Sequence, residues 1–336
     1  MNCFQLAPLA LLFIAPLPEG ALRYQPESGV SVQTHFESSL KINVTELTRG
    51  VSIDGEEHPV PEQPAPDFTM TETETIEFTD VIQMQDGVPK SILRSFSEVG
   101  NHMVQAMVDP AGEEHGESLE GESELEGARV LFTWDSDAEE FSASFGEDSG
   151  DLDADLLEGL IARCDFAGFL PDEDVSEGDE WEVPTSAYIA ITNLCGDLNI
   201  TREDDEEDGG EEYNEAFDEN LAGDLKATWK ETREEDGVRY AVIALAFELT
   251  TEIEREEEVT FNDVSGTQET TDSFEFELAG ELLWNLAGNR VHSLNLTGDL
   301  ELQREMTQSF DMGGRGLVIT EGTTFEGTLN YSVTID

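Results

Sequence analysis

Residues 202–212 read "REDDEEDGGEE", eight carboxylates with one arginine and two glycines. Calcium-binding loops also use acids, but at alternating positions, with a glycine at the tight turn and a bidentate acid at the end. This run has acids throughout and no such order. It reads as a solvated, self-repelling loop that holds cations only weakly and non-specifically. Asp151, Asp153 and Asp155 come closer, since they match positions one, three and five of a calcium loop. Leu156 then stands where the glycine is needed, and Ala162 where the closing glutamate is needed. Those are the two places the geometry most requires. Helix-start chemistry accounts for the three acids better, with Asp151 capping a first turn and Asp153 and Asp155 facing the positive end of the dipole.

Other reactive residues are sparse. Beyond the N-terminal segment the cysteines are Cys164 and Cys195. In an exported chain an even pair suggests one disulfide, while two buried thiols fit as well. With no adjacent histidine they make a poor zinc site. His35, His58, His102, His115 and His292 are scattered, no two at metal-ligand spacing. No nucleophile elbow and no phosphate loop occurs. Paired acids of the glycosidase kind could be drawn from 77 Asp and Glu, and so large a pool carries no information. The expectation is therefore no catalytic residue, no cofactor site and no metal site.

The charge balance excludes whole classes of partner. The formal net charge is −61 over 336 residues, a field that repels nucleic acid and anionic membrane surfaces. Lysine is confined to Lys41, Lys90, Lys226 and Lys230, so most carboxylates must be held apart by water and counter-ions. A saline habitat follows, with stability expected to fall as salt is withdrawn and screening weakens. The chain is nonetheless globular in composition, since eighteen Phe and four Trp accompany a 38% apolar share.

The start, "MNCFQLAPLALLFIAPLPEGALRY", resembles an export signal, with an apolar run from Leu6 to Leu17 too short to span a bilayer. It lacks a basic residue before the run and a clean cleavage site after it. Residues 1–21 are assigned to this signal, and the expected location is periplasmic or extracellular. Nothing later is apolar enough to cross a membrane as a helix.

The elements that must position these residues are mostly strands. Strict two-residue alternation marks strands with one wet face. From Val30 the apolar positions are Val30, Val32, Phe36, Leu40, Ile42 and Val44, a strand of about 15 residues. "TMTETETIEFTDVIQMQ" follows, with Met70, Ile76, Phe78, Ile82 and Met84 on one side. Asp86-Gly87 and Asp236-Gly237 lie between extended runs, the strongest short hairpin cue. Turns are also expected within Trp134–Phe141 and at Ala287-Gly288-Asn289, and Gly280 and Gly298 mark a bulge or bend. One helix stands out: Leu152, Leu156, Leu157, Leu160, Ile161 and Cys164 share a stripe at helical spacing. "SAYIAITNLCG" and "EEYNEAFDENLAG" are ambiguous and fit short helices.

Two stretches resemble segments of uncharacterised exported bacterial β-rich proteins: "FLPDEDVSEGDEWEVP" (Phe169 to Pro184) and "GELLWNLAGNRVHSLNLTGDLEL" (Gly280 to Leu302). That resemblance supplies no catalytic residues. The plan of long antiparallel strands around one helix is also similar to periplasmic lipoprotein carriers, in architecture only.

The expected fold is mainly β, with long antiparallel strands in a curved sheet or half-open barrel and one amphipathic helix packed on it. Residues 22–147 and 197–336 form two β halves of one domain, joined by a helix and connector over 148–196. Leu156, Leu160, Phe169, Trp181 and Trp284 are expected to seat the helix or line an apolar pocket. The expected function is a non-enzymatic, exported envelope protein that binds or carries lipid or another apolar ligand. A structural or adhesive surface module is the alternative, and a hydrolase the third reading.

Overall fold

Alternating sequences build strands whose two faces meet different surroundings, and here that pattern persists for unusual lengths. The computed structural model describes residues 22–336 except 62–63, 86–87, 109–111, 148, 203–209 and 262–263. Residues 1–21, where an export signal is expected, the Asp86-Gly87 pair and most of the acidic run therefore lie outside the described residues. The N-terminal strands are β1 (Val30–Ile53), β2 (Glu56–His58), β3 (Asp67–Gln85), β4 (Val88–Val108), β5 (Glu114–Ser123), β6 (Arg129–Asp135) and β7 (Glu140–Phe145). A connector then carries β8 (Glu180–Glu182), helix α1 (Thr185–Thr192), β9 (Ile200–Arg202) and helix α2 (Gly210–Asn220). The remaining strands are β10 (Ala222–Glu235), β11 (Val238–Phe261), β12 (Val264–Asn285), β13 (Arg290–Asp311) and β14 (Gly316–Ile335).

The fourteen strands among the described residues belong to one sheet, in the order β7-β6-β4-β3-β1-β14-β13-β12-β11-β10-β8, with β2 on β1 and β5 bridging β4 to β9. The two sequence halves meet where β1 pairs antiparallel with β14, from Thr34↔Ile335 to Ile53↔Leu317. Among the described residues the path runs between two short edge strands and does not close. β1 reaches 24 residues, roughly 80 Å at ~3.3 Å each. It outruns the expected length because a bulge between Val44 and Glu46 resets the alternation and lets pairing continue.

The hairpin chemistry is as the sequence implies. Asp236 (φ 50°) and Gly237 (φ 81°) both take left-handed backbone in the two-residue turn that joins Glu235 to Val238, the geometry that Asp-Gly favours. Four-residue turns follow Asp135 and Asn285. At Gly280 the register runs unbroken against Leu245 and Leu296. A Cβ there would overlap the Asn295 carbonyl oxygen, so this glycine permits a bend by close approach. The bulge lies further on, between Leu283 and Trp284.

The helix expected over residues 152–164 is absent. Only a 3-10 turn forms there, Ala154–Leu157, and Asp153 rather than Asp151 caps it by accepting from the Asp155 amide at 3.2 Å. Gly159 turns left-handed (φ 72°) and ends any helical continuation. Beyond it the backbone bonds across the connector instead of to itself: Ile161 N–H donates to Cys195 O at 2.7 Å, and Asp197 N–H to Gly159 O at 3.2 Å. Most of the apolar stripe still docks inward, with Leu152, Leu156, Leu157, Leu160 and Cys164 packed against the core, whereas Ile161 is exposed. The two helices lie instead in the ambiguous segments. In α1, Ala187, Tyr188 and Ile191 are buried. In α2, Tyr213 and Phe217, four apart, both face the sheet.

Candidate functional site

The sheet has an inner face, which carries the core, and an outer face of Thr, Ser and Glu. Along the strands the inner face divides into a filled end and an open end. In the filled end α1 sits against several strands at once. The Tyr188 ring meets Phe247 of β11 at 6.3 Å, Phe276 of β12 at 6.3 Å and Tyr331 of β14 at 6.0 Å. Phe169 stacks on Phe247 at 6.1 Å. These rings, with Phe36, Phe78, Leu245, Leu282 and Val333, belong to a single buried cluster.

Arg94 is fully buried in this end. Its Nε and Nη2 donate to the two carboxylate oxygens of Asp80, both at 2.9 Å. Nη1 donates to the carbonyl of Ile161 and Nη2 also to that of Ala162, each at 2.9 Å. The guanidinium lies over Phe78, with its carbon 4.3 Å from the ring centroid, and near Phe132 at 5.3 Å. A buried arginine must be paired and hydrogen-bonded to survive, and here one carboxylate and two carbonyls supply four bonds. By taking two connector carbonyls, Arg94 also fixes the loop that replaces the expected helix.

Cys164 and Cys195 lie beside this arginine as free thiols, their Sγ atoms 3.4 Å apart. The hydrogen bond from Cys195 pulls the Cys164 thiol below its ordinary range against the opposing effect of burial, and the Arg94 guanidinium adds to the lowering. Burial pushes the Cys195 thiol well up. Next to Cys164 a cavity of about 20 Å³ is lined by Tyr24, Asp80, Ile82, Ile92 and Asp165, space for roughly one water molecule.

The residues expected to form a helix seat or pocket all reach this filled end. Phe169 and Trp284 are fully buried, and Leu156, Leu160 and Trp181 are half-buried against the same cluster. Trp181 donates its indole N–H to Phe169 O at 2.9 Å. The Trp284 indole nitrogen is buried without a hydrogen-bond partner. They pack together as core.

Between the two ends lies an ionic belt. Asp272, fully buried, accepts from Arg304 Nε at 2.6 Å and Nη2 at 3.0 Å, from Arg255 Nη2 at 3.2 Å, and from the Tyr213 hydroxyl of α2 at 3.3 Å. Across the sheet Arg202 of β9 pairs with Glu72 and donates to Asn101 Oδ1 at 3.1 Å. Burial, and then the charge of Glu72, push Glu74 up to about 7. Glu74 faces Ser38, which itself lies opposite Tyr331 in the register.

Sequence reasoning passed over Arg94, Asp80, Asp272, Arg304 and Glu74, yet a signal was present. Arg94 alternates with Ile92 and Phe96, Asp80 with Phe78 and Ile82, and Asp272 with Phe274 and Phe276. A charge at an apolar position of a strand must be paired on the inner face.

On β12 and β13 the Phe274–Leu302 row lies between the buried Phe276–Leu300 row and the Asp272–Arg304 pair, and beyond that pair the inner face is open. The register places Val44, Phe325, Leu302 and Phe274 side by side on β1, β14, β13 and β12, and all four are half-buried. Leu40 and Met70 extend this apolar shelf, and Phe217 of α2 closes its inner edge against Phe274 at 5.5 Å. Further out come the Arg49–Glu321 pair at 3.1 Å, then Gln308 with Gln268 at 2.7 Å. Exposed Ile53, Phe261 and Met312 lie at the strand tips. Among the described residues no helix is long and apolar enough to cross a membrane.

No protein-family model matches the chain, and no curated protein matches it. A solved outer membrane channel from Pseudomonas putida F1 aligns over 96% of this chain and 100% of its own, at 9% identity and a TM-score of 0.18. A likeness that low carries no argument about fold or function.

Proposed function

We propose that this chain is an exported, non-enzymatic protein of the cell envelope whose sheet binds the apolar chain of an amphipathic, lipid-like ligand at the half-covered margin of its filled end. One observation carries the reading: the half-buried shelf of Val44, Phe325, Leu302 and Phe274, the row that borders the buried core on the inner face. Apolar surface left half-wet beside a filled core marks a place for a further apolar partner. The shelf sits next to the Arg304–Asp272–Arg255 cluster, so an extended chain lying on it would meet polar groups at one end. The −61 charge keeps anionic surfaces away from the outer face.

The test is fluorescence titration with an apolar dye, together with native mass spectrometry for co-purified lipid. The double variant Leu302→Asp/Phe325→Asp should lose dye binding while keeping its fold, because both side chains are half-exposed. No dye bound and no lipid carried would end the reading. A structural or adhesive surface module is then the better account. Activity against glycosides or esters would support the hydrolase reading instead.

A further inference from the structure

The connector meets itself at two sulfur atoms, and independent constraints bring them there. Arg94 holds the carbonyls of Ile161 and Ala162, each at 2.9 Å, and so fixes the turn that leads into Cys164. An isolated bridge ties Leu160 to Gly196, and Ile161 N–H reaches Cys195 O at 2.7 Å. Cys195 itself holds a left-handed backbone, φ 72°, a conformation that L side chains adopt at a cost and that persists where the surroundings impose it. The result is an Sγ···Sγ separation of 3.4 Å. Cys164 is half-buried and Cys195 buried. Between the two in sequence lie Phe169, β8 and the whole of α1, the segments that fill the sheet.

We infer that Cys164 and Cys195 form a redox-active pair that closes to an intramolecular disulfide by exchange with a small-molecule or protein disulfide, locking α1 into the sheet. Cys164 is the attacking sulfur. It is the accessible one, and the Arg94 guanidinium beside it favours the thiolate, which is the reactive form. The Cys164 thiolate attacks one sulfur of the oxidant disulfide and expels the other as a thiolate, giving a mixed disulfide. Cys195 then loses its proton and attacks Cys164 Sγ, expelling the second thiolate. Two electrons pass from the protein dithiol to the oxidant, and the two protons end on the two released thiols. The inference concerns the connector and is independent of any ligand on the apolar shelf.

The experiment uses the full chain carrying Cys3→Ser, equilibrated with excess oxidised glutathione, quenched with iodoacetamide and weighed intact. The expected product has lost two hydrogens and takes no alkyl label, whereas the reduced, unfolded chain takes two. Cys195→Ser should instead stall with one glutathione on Cys164, and Cys164→Ser should stay unmodified while folded. The oxidised protein should melt several degrees above the reduced one, because the bond closes a long loop around α1. Two free thiols after equilibration would overturn the pair, as would glutathione captured by Cys195 in Cys164→Ser. A disulfide that leaves the melting point unchanged would overturn the lock. The first and last measurements need only the native pair, so they stand even if a cysteine variant fails to fold.

Discussion

The same strands pass through both ends of this sheet, yet the two ends are built on different physics. In the filled end β11 buries Ala241, Ile243, Leu245, Phe247 and Leu249, and the connector supplies the other half of the core. In the open end the same strand carries Arg255, Glu257 and Val259 inward with nothing comparable packed on them among the described residues. The lesson is that alternation alone builds the ribbon, while stability resides where a second layer covers one face. The ionic belt marks the change, pairing its charges at the last place where burial still demands it.

Substitutions at matched positions can break this comparison. The largest effect is expected for Arg94→Leu, which leaves Asp80 buried and unpaired, at about 3–5 kcal/mol in urea unfolding. Asp80→Asn added to it should recover part of that loss, and strict additivity of the two changes would mean the pair is not coupled. Phe247→Ala should cost about 3–5 kcal/mol through the cavity it leaves, against about 1 kcal/mol for Phe325→Ala at the half-covered margin toward the open end. Equal costs at the two positions would erase the distinction between the ends.

The belt offers a sharper test through pH. The folded protein holds the Glu74 proton up to about 7, from an ordinary value of 4.5. The folded state therefore binds more protons than the unfolded chain between those values. The contribution is fully present below about 4.5 and is lost as pH rises through about 7, on the order of 2–3 kcal/mol. Glu74→Gln should flatten that part of the stability profile. A profile unchanged by the substitution would remove Glu74 from the account. Arg304→Ala is expected to be smaller still, at about 1.5–2 kcal/mol, because Arg255 and Tyr213 remain on Asp272. A loss as large as that of Arg94→Leu would show that the belt is as dry as the core.

Much of the fold was legible because strand pairing and tight turns are set locally. Phe36, Ile76, Phe78 and Ile82 are buried where two-residue alternation puts them, and Asp236-Gly237 makes the turn its residues favour. The leucine stripe at 152–164 misled for an equally physical reason. Periodicity reports which side chains turn inward, and they do, but it is silent on which group takes the backbone carbonyls. A distant arginine takes two of them. The candidate site was the least legible part: a bulge between Gln83 and Met84 shifts the hairpin register that pairs Asp80 with Arg94, and the carbonyls that Arg94 takes lie far along the chain at Ile161 and Ala162.

The sequence by itself determined the long antiparallel ribbons, their hairpins, and a surface of surplus negative charge, because each depends on residue type and near-neighbour spacing. Only the tertiary structure decided where the helices form, which end of the sheet is filled, and that Cys164, Cys195 and Arg94 meet. Those outcomes depend on competition among distant groups for the same hydrogen bonds and the same buried volume, and that competition is settled only when the chain packs.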